Sequence, residues 1–334
     1  DSFYGDRRCD DFSSQLYKPK SWEVDRGLVQ NYILTYECGK IGDTSTMIYT
    51  DSQDWKRSTA KRILLFGMSG LGKTHISSLL RKQNNWFHYS IDYRIGTRYL
   101  GEHIVDNCKK EAMKTPFLAD LLRSNSIYIA SNITFDNLEP LSTYLGKPGD
   151  ISKGGIPLKE YITRQTQHYT AERAALIDTA DFINRAQTLY GYQNFICDSS
   201  GSICEVVDPW NENDSIMKAL SENLLMVWIK GTDSHTTELI RRFDNAPKPM
   251  YYQSNFLLKS WEGYQIETGL SPDKINPNDF IRWTYSRAMA HRQPRYEQMS
   301  NWGITIKNEE LKKITSPNMF EELIANALET KTNL

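Results

Sequence analysis

Five short apolar runs punctuate an otherwise polar chain. "RILLF" (Arg62 to Phe66) is continuous rather than alternating, which predicts a strand covered on both faces of a parallel sheet. "FHYSI" (Phe87 to Ile91) ends at Asp92, "NFIC" (Asn194 to Cys197) ends at Asp198, and "LLMVWI" (Leu224 to Ile229) ends near Lys230 and Gly231. "GITI" (Gly303 to Ile306) supplies a fifth. Between these runs lie stretches of helical spacing. They include "KTHISSLLRKQ", with Ile76, Leu79 and Leu80 in register, then "EHIVDNCKKEAM", "AERAALIDTADFINRAQTLY", "HTTELIRRF" and "PNDFIRWTYSRAMAHR". Strands alternating with helices predict an α/β protein, a three-layer α/β/α sandwich around a mostly parallel five-stranded sheet. Ligands in such sheets collect at the carboxyl ends of the strands. Asp92 and Asp198 then share an edge with the turn that follows Phe66.

Two regions stand outside this alternation. Residues 1–60 are polar with scattered aromatics, and "LVQNYILTYECG" (Leu28 to Gly39) has the character of a strand pair. This segment is expected to be an arm or cap ahead of a domain spanning 61–334, and it offers a surface for a protein partner. The chain opens "DSFYGDRRCDDF", without an initiator Met or the apolar centre of a secretory signal, which points to a trimmed or processed start. Between the second and third runs, residues of roughly 95–190 include the Gly/Pro-rich "LGKPGDISKGGIPLKEY". That length exceeds a simple crossover and predicts a largely helical inserted subdomain near the acceptor side of a site.

The composition narrows the partners. Hydrophobic residues make up 39% of the 334, charged residues 24%, and the formal net charge is -1. No Lys/Arg run forms the basic patch that nucleic acid requires; Arg7-Arg8, Lys109-Lys110 and Arg241-Arg242 read as solvated faces. The cysteines show neither a C-x-x-C pair nor zinc spacing, which suits a reducing compartment, the cytoplasm or alternatively an organelle matrix. No apolar run approaches the length of a membrane span.

The chemistry starts at "FGMSGLGKTH" (Phe66 to His75). Gly67-x-x-x-x-Gly72-Lys73-Thr74 fits the phosphate-loop pattern, placed between a buried strand and an amphipathic helix. Gly67, Ser69, Gly70, Leu71, Gly72, Lys73, Thr74 and His75 are the expected nucleotide contacts, through backbone N–H groups and a helix N-terminus. Lys73 should reach the β- and γ-phosphates, and Thr74 should offer its hydroxyl to Mg²⁺. The alternative for His75 is an ordinary helix residue. Asp92 is placed to accept the proton of an acceptor hydroxyl or to orient it; the alternative is a helix cap or an ion pair with Arg94 or Arg98. Asp198 sits where phosphate-loop enzymes hold Mg²⁺, with an Asx-turn as alternative. "RRFDNAPKPMYY" (Arg241 to Tyr252) would suit a lid whose Lys248 meets phosphates, or a basic surface loop. Arg292 and Arg295 in "HRQPRYEQM" could pair with an acceptor anion, or be surface charges.

Taken together these blocks resemble the shikimate kinase and gluconate kinase group of small-molecule phosphate-loop kinases, over about half the chain. "SID" (Ser90 to Asp92) lies where that group has Asp-x-Asp, and "CDSSGS" where it has a glycine triplet. "RRFDNAPKP" is similar to its adenine-and-lid segment, and "HRQPRYEQM" to its late Arg-x-Pro-x-Tyr. The resemblance implies ATP and Mg²⁺ as cofactors. It implies that Asp92 polarises the acceptor hydroxyl, that Arg241 or Arg242 stacks on adenine, that Lys248 replaces the lid arginine and that Arg292 contacts the acceptor. Ser199, Ser200 and Gly201 fall on the substrate-binding triplet. Ser90 replaces the first aspartate, leaving Thr74 and Asp198 for the metal. Ser199 and Ser200 replace glycines of the shikimate pocket, which argues against shikimate itself. The whole chain is also similar to uncharacterised bacterial phosphate-loop ATPases. The expectation is therefore an ATP-dependent kinase with catalytic Lys73, Asp92 and Lys248, acting on a hydroxyl of a small metabolite, with an anionic one among the options. The rivals are a nucleotide-binding accessory subunit and an ATPase coupling hydrolysis to conformational work.

Overall fold

The protein is described as a computed structural model covering residues 47–82 and 85–332. The strand pair expected at 28–39 and most of the expected arm lie outside the described residues. All five expected strands form: β1 (Arg62–Phe66), β2 (Trp86–Ser90), β3 (Asn194–Asp198), β4 (Leu225–Lys230) and β5 (Ile304–Lys307). Their spatial order is β2-β3-β1-β4-β5, and every neighbouring pair is parallel. This is a phosphate-loop α/β fold, with helices linking each strand to the next.

Burial follows position in the sheet. The central strands β1 and β3 are apolar and covered on both faces, as their unbroken hydrophobic runs require. The edge strand β5 alternates buried and exposed residues. Along β2, Phe87 and Tyr89 turn to one face and meet Phe182 of the helix Thr179–Tyr190. His88 turns to the other face and stacks on Phe135, which Arg81 of the helix Lys73–Lys82 also covers.

Residues 47–60 belong to this body rather than to a separate arm. Asp51 caps the helix Ser52–Arg57, and Trp55, fully buried, donates its indole N–H to Glu321 O on the helix Pro317–Thr332. Between β2 and β3 the chain is mostly helical, ending in the long helix Leu158–Ile177 and then Thr179–Tyr190. An extended strap precedes the helix Glu139–Leu145. It crosses so close to Gly96 that a Cβ there would meet Ile133 at 2.9 Å. Among the described residues, no helix is long and apolar enough to cross a membrane.

Candidate active site

The register of the sheet brings the first three strands to one edge. Leu65 of β1 pairs with Asp198 of β3, and Asp198 pairs with Ser90 of β2. The loop leaving Phe66 therefore emerges beside Asp198, and Asp92 lies two residues past Ser90. Gly67 starts that loop at φ +141°, a conformation that L side chains rarely adopt. A Cβ at Gly67 would also stand 2.8 Å from the Ile229 carbonyl oxygen of β4. The loop's tight path is thus fixed by backbone geometry and by the neighbouring strand.

Lys73 opens the following helix and is buried. Its ammonium donates to the carbonyls of Gly67 at 2.9 Å and Met68 at 3.1 Å. Burial lowers its pKa, while the charges of Asp198 and Asp92 act to raise it. Both hydrogen-bond partners are neutral carbonyls, so among the described residues no carboxylate is bonded directly to the ammonium. A 320 Å³ cavity opens over the loop, lined among others by Gly72, Lys73, Thr74, His75, Asp198 and Ser199. Asp198 is buried, with His88 Nε2 3.7 Å from its Oδ2. The Thr74 hydroxyl and the Asp198 carboxylate are hard oxygen donors in one cavity. That donor set fits Mg²⁺, which is usually bound by one or two protein groups plus substrate phosphates and water.

A second cavity, of 530 Å³, adjoins the first, and both are lined by Ser69, Asp92, Leu138 and Gly201. Asp92, half-buried, stands at this junction. Burial first, then the charge of Asp198, pushes its pKa up to about 6, against the lowering effect of Lys73. Ser90, in place of the first aspartate of the resembled motif, caps the short helix that carries Asp92 by accepting from Tyr93 N at 3.3 Å. Gly201 packs against the phosphate loop so closely that a Cβ would lie 2.5 Å from Ser69 Oγ.

The helix Leu158–Ile177 reaches the second cavity through His168. Its buried face carries Gln165, His168 and Glu172 at helical spacing. Gln165 pins the segment after Lys248 by donating to Met250 O at 3.1 Å and accepting from Tyr252 N at 2.8 Å. Glu172 is fully buried and accepts from the Ser200 hydroxyl and from Ser202 Oγ at 2.8 Å. Burial pushes its pKa up to about 8, against the lowering effect of those hydrogen bonds, so it carries a proton at neutral pH. His168 Nδ1 lies 3.5 Å from Glu172 Oε2, and its ring stacks on Tyr251 with centroids 4.8 Å apart. Burial, reinforced by Arg292, lowers the His168 pKa to about 3, so the imidazole is neutral.

The arginines behave differently from expectation. Arg292 does line the second cavity, but it donates to Glu205 Oε1 at 2.7 Å, Gly201 O at 3.0 Å and Tyr251 O at 2.8 Å. Arg295 turns inward too, donating to Cys204 O at 2.5 Å and Val207 O at 2.9 Å. Arg241 and Arg242 are exposed and both tied to Glu238 on their own helix, Asp233–Asn245. That helix meets the loop through His235 and Leu239, beside Gly70, so the two arginines are not brought to the phosphate loop's cavity. Lys248 lines the second cavity at its rim, 3.6 Å from Glu139. Of the serines, Ser199 lines the loop cavity, whereas the Ser200 side chain turns away to Glu172.

Sequence reasoning missed His168, Glu172, Glu205 and the strap residues Phe135 to Leu138. A signal was present for two of them: polar residues at positions 165, 168 and 172 recur on the core face of one helix, an arrangement that calls for buried polar partners. Glu205 gave no such signal, because its partner Arg292 lies far along the chain.

No known family profile matches the sequence. No curated protein matches it either. Among solved structures it is similar to a shikimate kinase from Bacteroides thetaiotaomicron, at 16% identity and a TM-score of 0.35. The match spans 82% of this chain and 99% of that one. At that identity and score, neither substrate nor activity transfers to this chain.

Proposed function

We propose that the protein is an ATP-dependent phosphotransferase that moves the γ-phosphoryl group to a hydroxyl of a small molecule. The observation that carries this is the junction of two cavities at Asp92. One is lined by a phosphate loop and the other by residues from the β2–β3 segment, Lys248 and Arg292. A hydrolase needs only the first.

Each residue then has a task. The loop's N–H groups and Lys73 hold the β- and γ-phosphates and offset charge as the bond to the β-phosphate oxygen breaks. Thr74 and Asp198 would hold Mg²⁺, which would supply positive charge to offset that of the phosphates. Asp92 takes the proton of the acceptor hydroxyl as its oxygen attacks the γ-phosphorus. Ser69 and Gly201, in contact with each other, fix the distance between the two compartments. Lys248 sits where the acceptor would enter.

The test incubates the purified full chain with γ-labelled ATP, Mg²⁺ and a pool of small metabolites. Label is expected in a small molecule, with transfer lost in Asp92→Asn while nucleotide binding by equilibrium dialysis stays within a few fold. Undiminished transfer in that variant would sink the role of Asp92. Label in inorganic phosphate alone would support an ATPase. Bound ATP that is never consumed would support an accessory subunit.

A further inference from the structure

We infer that the molecule accepted by the 530 Å³ cavity is an uncharged, hydroxyl-rich ring compound, a sugar or cyclitol, recognised through His168. The inference rests on the phosphotransferase reading for the word acceptor, and on the cavity's own charges for the class.

The buried cation of this cavity is already matched. Arg292 is 3% exposed and bonded to Glu205 and to two backbone carbonyls. Lys248 faces Glu139 across the rim. The lining charges without an ion pair among the described residues are acids, Asp92 and the exposed Asp136. An acceptor carrying a carboxylate or phosphate would be desolvated beside these acids, with no buried cation left to receive it and only the exposed Lys248 at the rim. An uncharged molecule meets no such penalty, and it leaves Asp92 free for the proton of the reacting hydroxyl.

His168 supplies the recognition. It is 4% exposed and lines the cavity, and its Nδ1 is buried with no hydrogen-bond partner among the described residues. The nearest carboxyl to Nδ1 is Glu172, itself held by two seryl hydroxyls. A protonated Glu172 favours the tautomer with the lone pair on Nδ1, so that Nε2–H donates on the opposite ring edge. That donor suits a hydroxyl oxygen. The raised pKa of Glu172 and lowered pKa of His168 agree with an uncharged pair. Leu138, Leu141 and Tyr251 add apolar surface for the C–H face of a ring, and Asn137, Ser142 and Ser202 add polar contacts for its edge. The volume lies within the usual range for small-molecule sites, roughly 300–1,000 Å³.

Saturation-transfer NMR on the full chain with Mg·ADP tests this, using three matched probe sets: neutral sugars and cyclitols, the corresponding uronic and aldonic acids, and amino sugars. Neutral members are expected to bind at least about tenfold more tightly than their acids. His168→Phe, which keeps the stack on Tyr251, should cost about tenfold in that affinity with unchanged thermal stability, and His168→Gln should lose less. Preference for the acids or amines, or binding by none of the three sets, overturns the inference. A neutral probe that binds through His168 but never gains label from γ-labelled ATP would leave the ligand class standing and remove the phosphotransferase reading. A labelled uronic acid would do the reverse.

Discussion

The two halves of the cleft treat charge in opposite ways. On the nucleotide side, the Lys73 ammonium is held by the Gly67 and Met68 carbonyls rather than by a carboxylate, so it is available to a phosphate. On the other side, Arg292 is equally buried but bonded to Glu205. The first arrangement waits for an anion, whereas the second has supplied its own. A buried cation is therefore not in itself an anion site; what decides is whether its partners are neutral or charged. The halves also differ in construction. The nucleotide side is built around one continuous turn of chain, Ser69 to His75, flanked by the strand ends at Ser90 and Asp198, while the second cavity gathers residues from the strap, the helix Leu158–Ile177, the Gly201 turn, the Lys248 segment and the helix Pro277–Ser300.

The largest effect expected from this contrast is at Lys73. Lys73→Ala should lower label transfer by roughly a hundredfold to a thousandfold, as loss of a transition-state charge donor does, while circular dichroism stays native. Near-normal turnover in that variant would mean the charge available at Lys73 is not the one used.

Next comes the buried pair. Glu205→Ala leaves the Arg292 guanidinium buried without its carboxylate and should destabilise the fold by about 3–5 kcal/mol. Lys248→Ala breaks a pair whose side chains are 65% and 72% exposed and should change stability by less than about 1 kcal/mol. Urea unfolding of both variants reads the difference directly. Equal losses would remove the distinction between a structural arginine and a rim lysine.

That same distinction governed what the sequence could show. Strand β1, the loop and Lys73 were legible because contiguous residues carry both the pattern and the chemistry. Asp92 and Asp198 were legible because each ends an apolar run, and parallel pairing brings run ends to one edge. Arg292 lines the second cavity, yet its partner Glu205 was invisible, because pairing across so many residues leaves no periodic trace. The resemblance implied that Arg241 or Arg242 stacks on adenine, but both are satisfied by Glu238 three and four residues earlier on the same helix. The i,i+3 and i,i+4 pairing that explains them was readable in the sequence. His168 and Glu172 lay in a segment expected only to be helical, where their one-face spacing was the available clue.

A smaller effect, on pH dependence, separates the Glu172 carboxyl from its surroundings. Its pKa rises from 4.5 to about 8 on folding, so between those values the folded state holds a proton that the unfolded state has released. Stability therefore falls as pH rises through that window. Asp92, raised from 3.8 to about 6, acts in the same direction over a lower window. His168, lowered from 6.5 to about 3, acts in the opposite direction, adding stability as pH rises to 6.5. Above 6.5 that opposition ends. Between pH 6.5 and 8 the wild type should lose stability, with at most about 1.4 kcal/mol per pH unit from Glu172. Glu172→Gln should flatten this slope; an unchanged slope in urea titrations would place the proton elsewhere.

The smallest expected effect lies where the two halves touch. A Cβ at Gly201 would stand 2.5 Å from Ser69 Oγ but 3.7 Å from Ser69 Cβ, so the conflict is with one hydroxyl. Gly201→Ala should force that hydroxyl or the phosphate loop to shift, raising the KM for ATP several fold. Because a seryl hydroxyl can rotate, the cost stays modest. Ser69→Ala removes the conflicting atom, so the double variant should recover most of the loss, with a coupling energy of about 0.5–3 kcal/mol. Equal penalties for Gly201→Ala in the Ser69 and Ala backgrounds would mean that the contact does not transmit the shape of one cavity to the other. Recovery confined to the KM for ATP, with the acceptor's KM unchanged, would locate the strain wholly on the nucleotide side and make the Gly201 turn part of the phosphate cradle.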